Sequence, residues 1–412
     1  KVFTNTFFFI IITGLLSVLA IGTNVDSITD VLNINNASLA VWLVLGIVLS
    51  DILMSLPFAK LRYENKAKLF AIFKIANIIL NIGFNVFFFF ILPHLTHIGI
   101  FNSIYFPEFT FEYAFASNLL ANMLTIVFLI PTYNFNISRL DRKLILTIFL
   151  YSYPIVISGL AGMINDVGDK FILDFFITDK VEANYAIGIY GANYKIATLM
   201  IIFIQMFKFG VEPFFFRISH QIDHKGTYAF VTKAFSYIGL FLFVAIIGYI
   251  DLVKHFIDSS YHVGLKIVPY VLLGNFFYGI YYNVSIWFKI TDKTKFGMYF
   301  TFSGAIITIA MLILLVPAFG YMGAAIATLI CFVSMAVLNI LMGRKHYKVN
   351  YDWKRILILL SFSILLVVLF WMFKSDNLFL SLTFGTVIIF MYLASLFVID
   401  KGFFKAIRSH SV

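Results

Sequence analysis

Lys195 stands in the middle of a long apolar run, 186–214, among a regular row of other polar residues. At 100° per helical residue, Asn184, Gly188, Gly191, Lys195, Thr198, Gln205 and Glu212 fall within one stripe about 120° wide. A cation flanked by amides and hydroxyls on one helix face suits a helix that lines water; the alternative is a salt bridge to a neighbouring helix. Lys208 precedes Glu212 by four residues, a spacing that lets the two pair on one face. The run 144–173 offers a matching face of Ser158, Gly162, Asn165 and Asp169, with Asp166 placed to meet Lys170 one turn on. Asp169 or Asp166 is placed to neutralise Lys195 across the helix pair.

Two further runs carry the same kind of polar row. In 70–92, Lys74, Asn77, Asn81 and Asn85 share a stripe, which either interhelical amide hydrogen bonds or a wet chamber would explain. In 266–288 the row is Asn275, Tyr278, Tyr282 and Ser285. Asp51 is isolated in 37–58, as a candidate proton or sodium site or an anchor for Lys74. An ionisable group inside a membrane span costs roughly 2.5–3.5 kcal/mol, so each of these needs a partner, water or a job. Other patterns carry less. His220, Asp223 and His224 have a metal-ligand spacing, but a solvated loop accounts for them, as it does for His94 and His97. Asn36-Ala37-Ser38 fits a glycosylation triplet that also arises by chance. The sequence has no Gly-rich phosphate loop, nucleophile elbow or helical zinc signature, and no metal site or cofactor is expected beyond coupling to a proton or sodium gradient.

The elements that must position these residues follow from composition. Of 412 residues, 61% are hydrophobic, 19% aromatic and only 12% charged. Soluble domains carry about 25% charged residues, so this chain is neither a soluble enzyme nor disordered. Long apolar runs rather than short alternating ones make it an all-α, polytopic membrane protein. Twelve spans are expected, at about 4–22, 37–58, 70–92, 113–131, 144–173, 186–214, 231–251, 266–288, 296–317, 321–343, 355–373 and 379–399. Of the 30 lysines and arginines, four lie within spans and four, Lys180, Lys254, Lys266 and Lys374, in one set of alternating connections. The rest fall in the other set, which puts both ends of the chain in the cytoplasm and explains the net charge of +10 without nucleic acid. The connection 94–112 reads as an outer loop with a short interfacial piece, and 215–230 as an inner amphipathic bridge. The Phe87–Phe90 and Phe214–Phe216 runs read as packing or lipid-facing aromatics, and the single cysteine, Cys331, forms no internal disulfide.

Three stretches resemble the Wzx-type polysaccharide flippases of the multidrug/oligosaccharidyl-lipid/polysaccharide exporter superfamily. They are Asp51-Ile52-Leu53-Met54-Ser55-Leu56-Pro57-Phe58-Ala59-Lys60-Leu61-Arg62 with Asn65-Lys66; Tyr153-Pro154 through Ser158-Gly159-Leu160-Ala161-Gly162-Met163-Ile164-Asn165 with Asp169-Lys170; and Ile187-Gly188-Ile189-Tyr190-Gly191-Ala192-Asn193-Tyr194-Lys195, leading to Phe203-Ile204-Gln205 and Glu212-Pro213-Phe214. The resemblance implies about fourteen helices in two pseudo-symmetric lobes around a central cavity, followed by an extra helix pair. It implies a first lobe at 1–140 lacking its first two helices, a second lobe at 141–345, and the extra pair with a cytoplasmic tail at 346–412. The implied activity is not enzymatic. It is the movement of undecaprenyl-diphosphate-linked oligosaccharide from the inner to the outer leaflet of the bacterial cytoplasmic membrane by alternating access, for O-antigen, capsule or exopolysaccharide synthesis. The implied partners are that lipid-linked oligosaccharide, membrane lipid and polysaccharide polymerase machinery, with a monomeric protein. On this reading Lys195, Lys74, Lys208, Gln205, Asn165 and Asn81 contact substrate, and Asp51, Asp169 and Glu212 couple ions or balance charge. The alternatives are a cation-coupled multidrug exporter of the same superfamily, which favours an acidic chamber, and an integral-membrane glycosyltransferase or polymerase, which needs a large outer loop.

Overall fold

The computed structural model describes residues 2–32, 37–64, 66–109, 111–133, 141–177, 179–219, 224–375 and 377–403. Asn36, His220, Asp223 and the side chain of Asp166 lie outside the described residues, and with them the glycosylation triplet, the His-Asp-His spacing and the Asp166–Lys170 pair. Among the described residues there are no strands, and twelve helices are long and apolar enough to cross a membrane. This is the helical polytopic membrane protein that the apolar runs require. The chain divides into two compact units, Lys1–Ser152 and Tyr153–Val412.

The first unit holds α1 (Val2–Gly22), α2 (Val25–Leu32), α3 (Ala37–Tyr63), α4 (Ala67–Val86), α5 (Gly99–Asn102), α6 (Phe111–Leu129) and the start of α7 (Arg142–Phe176). Helix α3 packs against α1 and α6, and α4 packs against α6. A π turn, Phe87–Ile91, extends α4 and turns Phe88 inward, where its ring stacks on Tyr113 with centroids 5.0 Å apart. A short helix, α5, lies in the connection between the third and fourth spans.

The second unit holds the rest of α7, then α8 (Lys180–Ile218), α9 (His224–Gly248), α10 (Ile250–Val253), α11 (Val268–Val284), α12 (Ile286–Ile290), α13 (Lys295–Phe319), α14 (Tyr321–His346), α15 (Trp353–Phe373) and α16 (Leu378–Ile399). Its core forms where α14 packs on both α11 and α13. Gly320 turns the chain between α13 and α14 at φ 55°, a conformation that a side chain would strain. Of the amphipathic bridge expected at 215–230, the described residues 215–218 and 224–230 belong instead to the two long helices: α8 runs through Pro213 to Ile218, and α9 starts at His224. Burial explains the extra turn, because Phe215 and Ile218 are buried and the Tyr228 hydroxyl donates to the Phe215 carbonyl at 3.1 Å.

The last two spans, α15 and α16, pack against each other and on α9, and charge fastens them at both ends. At one end Asp400, 2% exposed, accepts from Lys233 Nζ at 2.8 Å and the Tyr237 hydroxyl at 3.0 Å, with Arg355 Nη1 3.4 Å away. At the other end Asp251, just beyond α9, receives Lys254 Nζ at 2.7 Å, Lys374 Nζ at 2.9 Å and Ser381 Oγ at 2.6 Å. Between the ends Gly248 meets Gly385 backbone to backbone, and the Tyr392 hydroxyl donates to the Tyr237 carbonyl at 2.7 Å.

Burial pushes the Asp251 carboxyl up, but hydrogen bonds from Lys254, Ser381 and Lys374 outweigh it and hold the group at about 2, against an ordinary 3.8. As pH falls below 4 the unfolded carboxylate protonates first. The stability this cluster supplies at neutral pH, about 2 kcal/mol, is therefore lost between pH 4 and about 2. Unfolding of the wild type and Asp251→Asn, followed across that range, tests this. The wild type shows the extra acid-sensitive component and the variant lacks it; identical pH profiles would remove the cluster's contribution.

Candidate functional site

Helix α8 divides cleanly into two faces. Ala186, Ile189, Asn193, Ala197, Met200 and Ile204 are buried on one side. Opposite them runs the polar stripe, in which Asn184, Lys195 and Gln205 are exposed within their unit and Gly188, Gly191, Thr198 and Glu212 are half-buried. The packed face is held by a real interhelical link, Asn275 Nδ2 donating to the Ala197 carbonyl at 3.2 Å. Lys195 is 15 residues into a 39-residue helix and makes no hydrogen bond or ion pair among the described residues. The expected neutralisation by Asp169 does not occur. Asp169 is 3% exposed and lies against the Tyr190 hydroxyl in the packed interior, on the far side of α8 from Lys195.

The Lys208–Glu212 pair expected from the one-turn spacing is replaced by a tertiary one. Glu212 Oε1 accepts from Lys289 Nζ at 2.8 Å, and its other oxygen accepts from the Tyr282 hydroxyl. Lys208 stands over the Tyr282 ring with Nζ 4.6 Å from the centroid, and Lys289 stands 4.1 Å from the same ring. The cluster lines a small cavity of about 10 Å³, about one water in size, with Phe207, Val211 and Phe215 around it. Two ammonium groups against one carboxylate leave a net positive charge facing that space. Tyr282 was legible as part of a polar row; Lys289, reached from another helix, carried no local signal.

Asn165 is buried and committed to packing: Thr308 Oγ1 donates to its Oδ1 at 2.8 Å, and its amide faces the Thr301 carbonyl at 3.5 Å. It lies on α7 and is enclosed by α13 and α14.

In the first unit the amide row on α4 resolves into two parts. Asn77 Nδ2 donates to Asn122 Oδ1 and Thr125 Oγ1, each at 3.0 Å, so this residue is interhelical glue. Asn85 instead donates to Asn81 Oδ1 at 2.7 Å within the same helix. Asn122 passes the chain of hydrogen bonds on to Ser50 Oγ and Asp51 Oδ1, both at 3.0 Å. Lys74 does not anchor Asp51; its Nζ sits 4.6 Å from the Phe58 ring centroid. The three candidate carboxylates therefore differ: Glu212 is ion-paired, Asp169 is buried against a hydroxyl, and Asp51, near the middle of α3, meets no cation among the described residues.

This arrangement of helices matches solved structures over most of the chain. Lipid II flippase MurJ in an inward closed conformation superposes with TM-score 0.65 over 96% of this chain and 84% of MurJ, at 16% identity. An inward-facing multidrug resistance MATE family transporter of the MOP superfamily gives 0.64 over 83% and 80%, at 14% identity. A Vibrio cholerae MATE transporter, VcmN, gives 0.59 over 84% and 78%, at 13% identity. The chain has the MurJ and MATE fold. No family model and no curated protein matches its sequence, so at 13–16% identity the MurJ and MATE fold is what the comparison carries.

Proposed function

We propose that the chain is a membrane transporter that flips an undecaprenyl-diphosphate-linked oligosaccharide from the inner to the outer leaflet. The observation that carries this reading is Lys195, a cation in the middle of a span, exposed on a polar stripe and without a partner among the described residues. A bare ammonium at that depth is costly unless it meets water or an anion, and a diphosphate supplies the anion. The net-positive Lys208–Lys289–Glu212–Tyr282 cluster is a second anion contact nearer the basic end of α8. The fold shared with a lipid II flippase supports a lipid-linked substrate, and alternating access is the mechanism this reading adopts. The protein makes and breaks no bond. It sits in the bacterial cytoplasmic membrane with both described ends on the cytoplasmic side, serves surface-polysaccharide synthesis beside a polymerase, and works as a monomer. A second reading, a cation-coupled multidrug exporter, is favoured by Asp51, whose carboxylate meets only the Asn122 amide among the described residues.

The test is complementation of a flippase-deleted bacterium that supplies the cognate repeat unit, with lipid-linked oligosaccharide in the inner leaflet as the readout. The wild-type gene clears it. Lys195→Ala lowers clearance about 10–100-fold, the worth of one charge-assisted contact, with unchanged thermal unfolding. Clearance by Lys195→Ala at the wild-type rate makes the residue structural. A wild type that clears nothing, yet exports cationic dyes in an Asp51-dependent manner, replaces the flippase with the exporter.

A further inference from the structure

The connection between α14 and α15, residues 347–352, takes no part in the sites above. Both flanking helices are among the twelve apolar enough to span, so this connection is held at one membrane surface. Arg344 and Lys348 are exposed there and pair with no carboxylate among the described residues. The nearby acid, Asp352, is already engaged: Arg355 Nη1 is 3.0 Å from it, and Lys233 Nζ is 3.8 Å away. The connection is also pinned. Val349 is buried, the Tyr347 hydroxyl lies 2.6 Å from His224 Nε2, and the Tyr351 ring packs on Trp353 with centroids 5.2 Å apart. The result is a preformed open pocket of about 370 Å³ lined by Arg344, Lys348, Val349, Asn350, Tyr351 and Trp353.

We propose that this pocket binds the head group of an anionic glycerophospholipid. Arg344 and Lys348 bring two positive charges to the phosphate, and the Asn350 amide adds a donor. An indole is at home at the depth of lipid head groups, which suits Trp353. The choice of a lipid over a soluble phosphate rests on depth: the connection joins two spanning helices, and Leu341 and Met342 on α14 and Leu357 and Ile358 on α15 are exposed apolar side chains one to two turns further into the apolar layer. A direct hydrogen bond from each cation to the phosphate, worth about 1 kcal/mol or about fivefold, makes the pair's contribution about thirtyfold.

The experiment measures lipid retention by the purified full chain, by native mass spectrometry, with phosphatidylglycerol against phosphatidylcholine. Arg344→Gln with Lys348→Gln is expected to weaken phosphatidylglycerol binding about thirtyfold and leave phosphatidylcholine unchanged. The control, Lys293→Gln with Lys295→Gln, removes the same charge from the exposed start of α13 and is expected to change binding less than twofold. Equal losses in both doubles mean diffuse attraction and overturn the site. Displacement of the lipid by glycerol 3-phosphate at matched concentration means a phosphate site and overturns the lipid assignment. As a second readout, brominated phosphatidylglycerol quenches indole fluorescence in the wild type, and Trp353→Phe removes that component; no loss on this substitution also counts against the pocket. These readouts concern binding alone, so they stand or fall apart from the transport reading.

Discussion

Asp400→Asn is expected to destabilise the second unit by about 3 kcal/mol, the usual cost of removing one partner from a buried ion pair. The carboxylate is 2% exposed, and it is what satisfies the largely buried Lys233 ammonium and the Tyr237 hydroxyl. Asparagine preserves the shape and can still accept one hydrogen bond, but it leaves Lys233 facing only Asp352 at 3.8 Å. Arg355, 45% exposed, keeps water and Asp352 and loses little. The cost therefore falls mainly on Lys233, and a double variant shows it. Lys233→Met with Asp400→Leu recovers much of the loss, because a buried pair replaced by apolar side chains is often neutral. Thermal unfolding in detergent reads both. A single variant within about 0.5 kcal/mol of wild type would mean the cluster is hydrated and does not fasten α16.

Gly385→Ala is expected to cost at least about 2 kcal/mol and to loosen α16 from α9. A Cβ there falls onto the Gly248 carbonyl group, and both sides of the contact are backbone, so no flexible side chain can move aside. The two helices must separate, which stretches three contacts at once: Tyr249 with Thr386 at 3.0 Å, Ser381 with Asp251, and Tyr392 with the Tyr237 carbonyl. Gly191→Ala is the matched control, since an added Cβ there meets nothing within 4 Å and alanine is the better helix former. Unfolding midpoints of the two variants should move in opposite directions or by clearly different amounts. Equal shifts would mean the Gly248–Gly385 approach is not tight in the membrane.

The twelve spans were legible because hydrophobic length is a local property, summed over about 20 residues without knowledge of any partner. So was the polar face of α8, which depends only on the helical period. What was not legible is who meets whom. Lys208 and Glu212 have the spacing of a helix pair, yet Glu212 chooses Lys289, 77 residues on, because Tyr282 and Lys289 reach it in hydrogen-bonding geometry while Lys208 settles on a ring. Asp51 finds an amide rather than Lys74 for the same reason: Asn122, 71 residues on, is the nearer donor. Asp251 and Asp400 sit at span ends, where a carboxylate looks merely solvated. Their burial appears only when α15 and α16 come back onto α9.

That return has a consequence for how the protein is made. Lys233 and Asp400 are 167 residues apart, and Asp251 waits for Ser381, 130 residues later. At a synthesis rate of about 5–20 residues per second, α9 emerges on the order of ten seconds before Asp400, which neutralises Lys233, exists. During that interval Lys233 lacks the carboxylate it will hold, while the α15–α16 hairpin is still to be made. The native contacts of Lys233 with Asp400 and of Asp251 with Ser381 therefore form only after the final hairpin has been made.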